Sequence, residues 1–283
     1  NAVMRASRVG FSGVKIAWTY YFKQMNSESH KECAQILYNC LERNGGCYIK
    51  LGQIIAQLEH VVPDIYADTM KPLMHSVKKR PFSEIEDSLT QVYGDYHKIF
   101  KDIDPEPLGT ASLAQVHKAT LQSGETVAIK VQHKRLLPES KGDIFLIKQA
   151  TAIGEYLFTD FKYKWLGYQF ETNLLKELDF RREGKNADRL RNIFDYNKQI
   201  VVPKIHWDVT TEKILVMDFE EGGSIQDPQY LKDNNIDVRQ VARLLTETFN
   251  LQIFKYGFVH ADPHQGNIFI RKSKKSGDIL EMV

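Results

Sequence analysis

The sequence predicts an α+β chain in two lobes behind a helical extension, and three observations predict it. Helical periodicity runs through the first hundred residues. Two short strand patterns then meet across Ser123-Gly124. After a further strand, a long amphipathic helix leads into the loop His260-Ala261-Asp262-Pro263-His264-Gln265-Gly266-Asn267. A chain of 283 residues is long enough for one large domain or two lobes with cores of their own. Its apolar share of 42% and charged share of 26% are those of a soluble globular protein. The net charge of +2 gives no argument for nucleic acid, and no nucleic-acid partner is expected. Cys33, Cys40 and Cys47 are odd in number and contain no C-x-x-C pair. They argue against a disulfide framework or a zinc site and read as small buried side chains in a reducing compartment.

Residues 1–27 form a segment of their own. Arg5, Arg8, Lys15 and Lys23 precede the first acidic residue, Glu28, and Phe11, Ile16, Trp18, Tyr20, Tyr21 and Phe22 add apolar bulk. Such a segment suits import into mitochondria or contact with an anionic membrane surface. A packed terminal helix with a solvated basic face explains it equally well. Val9 to Phe22, interrupted by Lys15, is too short and polar to span a bilayer. The chain begins at Asn1, so residues upstream are expected.

Residues 28–98 read as a helical extension. A helix over Glu28 to Arg43, with Ala34, Leu37 and Leu41 inward, stops at Gly45-Gly46. A second, Cys47 to His60, carries an apolar stripe (Tyr48, Leu51, Ile55, Leu58) and a polar one (Lys50, Gln53, Gln57), and Pro63 ends it. A third follows Ser83-Glu84-Ile85-Glu86, which has capping-box spacing, and stops near Gly94.

Residues 99–217 hold the strands. Leu113 to Ala119 and Thr126 to Val131 flank the turn. Period 2 sends Val127, Ile129 and Val131 to one face, and Ala128 and Lys130 to the other. Glu177-Leu178-Asp179-Phe180-Arg181-Arg182-Glu183 reads as helix and supplies candidate anions for Lys130. Glu177 and Glu183, six apart on one helix, would point about 120° away from each other and not serve one point. Lys213 to Met217 is a buried strand, and Asp218 to Gly223 leaves it as an extended linker. A hinge there would border an adenine ring with Met217 and Phe219 and hydrogen-bond it through the backbone.

Residues 218–283 carry that hinge and the start of the second lobe. Asp237 opens a helix with Ile236 and Val241 as its staple. Val238, Val241, Leu245, Phe249 and Ile253 are read as its buried side, and Gly257 as its end.

The chemistry lies in three segments. Gly109-Thr110-Ala111-Ser112-Leu113-Ala114-Gln115-Val116 fits the frame G-x-G-x-x-G-x-V of a phosphate-covering loop, with Ala111 and Ala114 in place of two glycines. The added methyls stiffen the loop and alter its approach to phosphates. Val127-Ala128-Ile129-Lys130 matches the V-A-I-K strand whose lysine neutralises phosphate oxygens. Asp262 and Asn267 have the spacing of H-R-D-x-x-x-x-N, in which the aspartate orients the acceptor and the asparagine binds Mg²⁺. His260, Asp262 and His264 as a metal site is the lesser reading, since no further ligand is suggested.

Together these segments resemble the aarF-domain (UbiB-like) atypical kinases, from about Ser27 to the end of the chain. Lys50-Leu51-Gly52-Gln53 matches that family's KxGQ helix, and Gly109 to Ser112 its alanine-rich loop. Glu177-Leu178-Asp179 matches its ExD motif, and His260 to Asn267 its catalytic loop, with Gln265 where proline is usual. The resemblance implies an atypical protein-kinase-like two-lobe fold that binds ATP or ADP with Mg²⁺. It makes Lys130 the ATP lysine paired with Glu177, Asp262 the catalytic aspartate and Asn267 a Mg²⁺ ligand. Lys50 and Gln53 would reach over the nucleotide, shielding a small acceptor or blocking a peptide. It further implies a mitochondrial setting at the inner membrane, a link to quinone or other lipid metabolism, and an acceptor that is a lipid-like small molecule or a protein.

One departure stands out. Kinases place a second metal-binding aspartate, in D-F-G, on a strand after the catalytic loop. This chain ends at Ile279-Leu280-Glu281-Met282-Val283, and Asp278 sits in the turn Ser276-Gly277-Asp278. The large lobe is therefore expected to be incomplete, and the chain a fragment, unstable or inactive alone. Three functions are carried forward. They are an ATP-dependent phosphotransferase or ATPase, a non-catalytic nucleotide-binding scaffold, and a small-molecule kinase, which the KxGQ helix disfavours.

Overall fold

Among the described residues, five α-helices precede the first strand. The computed structural model describes residues 2–23, 26–74, 79–134, 136–158, 162–260, 267–273 and 279–283. Helix α1 (Ala2–Lys23) is a packed helix. Arg5 reaches from it to Glu139, 2.8 Å away, and to Asp143, and lies over the Tyr48 ring at 5.3 Å. Thr19 is buried, while Val3, Met4, Phe11, Val14, Trp18, Tyr21 and Phe22 face solvent. No described helix is long and apolar enough to cross a membrane.

Helix α2 (Ser27–Asn44) starts where the Asn26 side chain accepts the Ser29 N–H at 2.9 Å. It ends at Gly45, whose φ of +67° places it where glycine is favoured. Helix α3 (Cys47–Gln57) stops short of the expected His60. The N–H groups of Val61 and Val62 both turn back to Leu58 O, and His60 adopts a φ of +67°. Helix α4 (Asp64–Met70) and a 3₁₀ turn (Lys71–Met74) close over α3. A Cβ on Gly52 would lie 2.3 Å from Leu73 Cδ1, so any side chain here must displace the buried Leu73. Helix α5 (Phe82–Tyr93) has Pro81 in the capping position, with the Glu84 N–H on Pro81 O. Ser83 therefore lies inside the first turn and forms no capping box. Cys33, Cys40 and Cys47 are free and buried, as read.

Strands β1 (Phe100–Thr110), β2 (Ala114–Leu121), β3 (Thr126–Gln132) and β4 (Ile214–Asp218) form an antiparallel sheet in that order. Strand β1 escapes the sequence pattern because Pro105, Pro107 and Gly109 interrupt it. It is an edge strand with register shifts on both sides of Pro107, where proline is tolerated. Val127, Ile129 and Val131 are buried completely, with Ile103, Ala119, Leu121, Ile214 and Val216, against Ile85 and Leu89 of α5. Period 2 thus assigns this face correctly.

Three helices lie between β3 and β4: α6 (Leu136–Leu157), α7 (Lys164–Glu177) and α8 (Phe180–Phe194). The first two show weak amphipathic patterning and were not legible in the sequence. Beyond the hinge come β5 (Gly223–Ser224), α9 (Pro228–Asp233) and α10 (Val238–Asn250). A π-helical stretch (Leu251–Tyr256), β6 (Phe269–Lys272) and β7 (Leu280–Met282) complete the described elements. Asp237 caps α10 through the Arg239 N–H, and Gly257, at φ +56°, ends the run, as expected. The buried positions are Val241, Leu244, Thr248 and Gln252. Val238 and Ile253, read as inward, are exposed. Val238 stands in the first turn, and the wider π turn carries the inward phase to Gln252.

Candidate nucleotide site

The second face of the sheet positions the site. Antiparallel register sets Gly109, Val116, Lys130 and Leu215 in one cross-strand row, and Lys118, Ala128 and Met217 in the next. Small Ala128 leaves room between the rows. Ala114, Phe180, Ile205 and Leu215 form a buried apolar floor, with Met217 packed against it, and the Lys130 ammonium lies 5.0 Å from the Phe180 ring centroid. Gly109 and Thr110 pair with Val116 and Gln115, so the β1–β2 hairpin loop begins one register position beyond the lysine's row. Ala111 and Ser112 form its turn, closed by the Ala111 N–H on Ala114 O at 2.8 Å. A Cβ on Gly109 would meet nothing within 4 Å, so no steric demand explains that glycine.

Lys130 is paired with Glu183 and not with Glu177. Its Nζ donates to both Glu183 oxygens, at 2.7 and 2.8 Å. The expected partner failed because Glu177 and Glu183 do not share a helix. Asp179 leaves helical geometry and caps α8, accepting the Arg181 N–H at 3.1 Å, while the Phe180 N–H bonds Glu212 O. The break turns α8 so that Glu183, in its first turn, faces β3, where a carboxylate also suits the positive helix end. Glu177, the last residue of α7, pairs with Lys50 at 2.9 Å. The signal for this break was present in the sequence as an aspartate directly before a large apolar residue, within an otherwise charged run.

The KxGQ residues divide. Lys50 reaches the end of α7. Gln53 donates its side-chain amide to Leu73 O at 3.1 Å and fixes the 3₁₀ turn onto α3. At the hinge, Met217 borders the apolar floor as read. The backbone N–H groups of Asp218 and Phe219 are taken by Lys204 O and Thr126 O, so neither is free for an adenine ring. The Phe219 ring lies under Lys118 at 4.5 Å, and Asp218 accepts from His206 Nε2 at 2.7 Å. Arg271, mostly buried, clamps the hinge to β6 and β7 by contacts with Glu220, Glu221 O and Glu281.

Asp262 and His264 lie outside the described residues, as does Asp278. The segment entering that loop is anchored by the His260 N–H on Gln252 Oε1 at 2.8 Å and by Arg189 of α8 over Phe258 at 4.0 Å. Asn267 is exposed at its far end. Helix α8 thus touches the strand lysine at one end and the approach to this loop at the other. No group of three or more metal-ligating side chains occurs among the described residues.

The sequence profile of the ABC1 atypical kinase-like domain matches residues 72–282. The chain belongs to the ABC1/AarF atypical kinase family. It is 38% identical over 299 residues to AarF domain-containing kinase 1 of Drosophila melanogaster, covering 99% of this chain and 57% of that protein. It is 37% identical over 257 residues to AarF domain-containing protein kinase 1 of Mus musculus, covering 90% and 49%. The chain therefore spans about half the length of the curated relatives it matches. In fold it is similar to Rv3197 of Mycobacterium tuberculosis, solved with erythromycin, at a TM-score of 0.58 and 21% identity, over 86% of this chain and 62% of that one. The Lys130–Glu183 pair joins a strand lysine to a glutamate in the first turn of the helix facing it. Lys50 lies before the residues matched by the profile, and its partner Glu177 lies within them.

Proposed function

We propose that this chain binds ATP or ADP on the Lys130 face of the sheet, as the nucleotide site of an ATP-dependent phosphotransferase or ATPase. The observation that carries this reading is the Lys130–Glu183 pair. A strand lysine held bidentately by a carboxylate, about a quarter exposed and one register position from a hairpin loop, is a cation pre-placed for phosphate oxygens. Lys130 would neutralise the phosphates, Glu183 would hold its position, Gly109 to Ser112 would cover them, and Ala128, Met217 and Phe219 would border the base. Bound Mg²⁺ would supply charge neutralisation at the phosphates. Asn267 has the carbonyl oxygen that hard cation accepts, and Asp262 the carboxylate to orient an acceptor hydroxyl.

The acceptor in this proposal is a lipid-like small molecule or a protein, in a mitochondrial setting at a membrane surface. The support for the membrane lies in α1. Its solvent side carries Met4, Phe11, Val14, Trp18 and Phe22, edged by Arg8 and Lys15, and α1 contains no acidic residue. Aromatic side chains beside cations suit an anionic bilayer surface. Equilibrium titration of the chain with ATP, with and without Mg²⁺, tests the nucleotide reading. Saturable binding supports it, and no binding at millimolar ATP overturns it. Binding without turnover by a full-length relative would favour the scaffold.

A further inference from the structure

We propose that His133 is a positioning residue for the hairpin loop and, through it, for the phosphates of a bound nucleotide; this rests on the nucleotide reading above. His133 directly follows β3, three residues after Lys130, and is 9% exposed. It touches the loop twice. Its Nε2 lies 3.0 Å from Ala111 O, and its backbone N–H donates to Leu113 O at 3.0 Å. A carbonyl only accepts, so Nε2 carries the proton, and the buried Nδ1 has no partner. His133 is thus held as one neutral tautomer, and burial pushes its pKa down.

The consequence is electrostatic. A loop that receives phosphate must turn N–H groups toward the ligand and keep carbonyl oxygens away from it. A glycine-rich loop can meet that requirement by peptide rotation. Here alanine stands at two of the glycine positions, and the loop cannot adapt as freely. His133 instead ties two of its carbonyls, Ala111 and Leu113, to the end of the lysine strand. The loop and Lys130 therefore share one anchor, and loop height over the strand is fixed before the nucleotide arrives.

Two variants test this. His133→Leu removes the side-chain donor; His133→Gln retains an N–H within similar reach. Hydrogen exchange of residues 109–116 in the nucleotide-free chain should speed up in His133→Leu and recover in His133→Gln. ATP affinity should fall about five-fold in His133→Leu, the worth of one hydrogen bond, while adenosine affinity, which needs no phosphate contact, stays unchanged. His133→Gln should restore most of the ATP affinity. Unchanged exchange, or equal effects on ATP and adenosine, would overturn the inference alone. A wild-type chain that binds no nucleotide would overturn the reading beneath it as well. If His133→Leu fails to fold, the ATP-to-adenosine ratio of His133→Gln against His133→Asn, whose amide is too short to reach, decides instead.

Discussion

Glu183 places both carboxylate oxygens on the Lys130 ammonium, at 2.7 and 2.8 Å, across 53 residues of sequence. Six residues earlier, Glu177 holds Lys50 instead. Two acids in one short run thus serve two cations on different elements, and the helix break at Asp179 separates them. The pair at β3 fixes the lysine for ligand; the pair at α3 ties the helical extension to the inserted helices.

These roles predict different losses. Glu183→Gln should weaken ATP binding by about three- to ten-fold, since a neutral amide holds the ammonium less firmly. Glu177→Gln should leave ATP affinity within about two-fold, because the Lys50 pair is partly exposed and worth little by itself. Its effect should show as faster limited proteolysis between the extension and α7. Equal losses of ATP affinity in both variants would contradict the assignment.

Gly52 is predicted to be set by its packing against Leu73. Gly52→Ala forces its methyl against the fully buried Leu73 and should cost about 1–3 kcal/mol, read as a lower thermal midpoint. Leu73→Ala leaves a cavity and costs about 2–5 kcal/mol. In the double variant the new methyl enters that cavity, so the combined loss should be smaller than the sum. Strict additivity would contradict the contact.

Acid should destabilise the fold through two buried histidines. Desolvation holds His117 below its ordinary 6.5, against the raising effect of its hydrogen bond to Asp104 O, and does the same to His133. From 6.5 downward the unfolded chain takes up protons that the folded chain refuses. Their contribution is therefore full above 6.5 and is lost as pH falls toward the depressed folded values. Denaturant midpoints from pH 8 to 5 should fall below about 6.5, and less steeply in His117→Gln. A flat profile would contradict the burial of these rings as neutral species.

The exposed side of α1 predicts binding to vesicles that contain anionic lipid, and weak binding to zwitterionic ones. Replacing Trp18 and Phe22 by Glu should reduce sedimentation with anionic vesicles at least about ten-fold, without a change in melting, because both side chains are exposed. Equal binding by the variant would contradict the surface assignment.

Strongly periodic or literally patterned segments were legible in the sequence. The Val127/Ile129/Val131 face, the end of α2 at Gly45, the Asp237 cap and the lysine strand needed only local rules. Strand β1 was hidden because an edge strand tolerates the two prolines and the bulges that mask its period. The family resemblance pointed to Glu177, and the run read as one helix gave no way to single out Glu183, because Asp179 starts a new helix. The role of Gln53 was hidden for another reason. Its partner is a backbone carbonyl twenty residues away, and no side-chain pattern announces such a contact.

The most direct measurement is calorimetric titration of ATP with Mg²⁺ into the wild-type chain and into Lys130→Met, with circular dichroism to establish that both are folded. The Lys130–Glu183 site predicts saturable binding by the wild type and at least about ten-fold weaker binding by the variant, the loss of one charge-assisted phosphate contact. Equal ATP affinity in the two folded proteins would contradict the placement of the nucleotide on this face of the sheet.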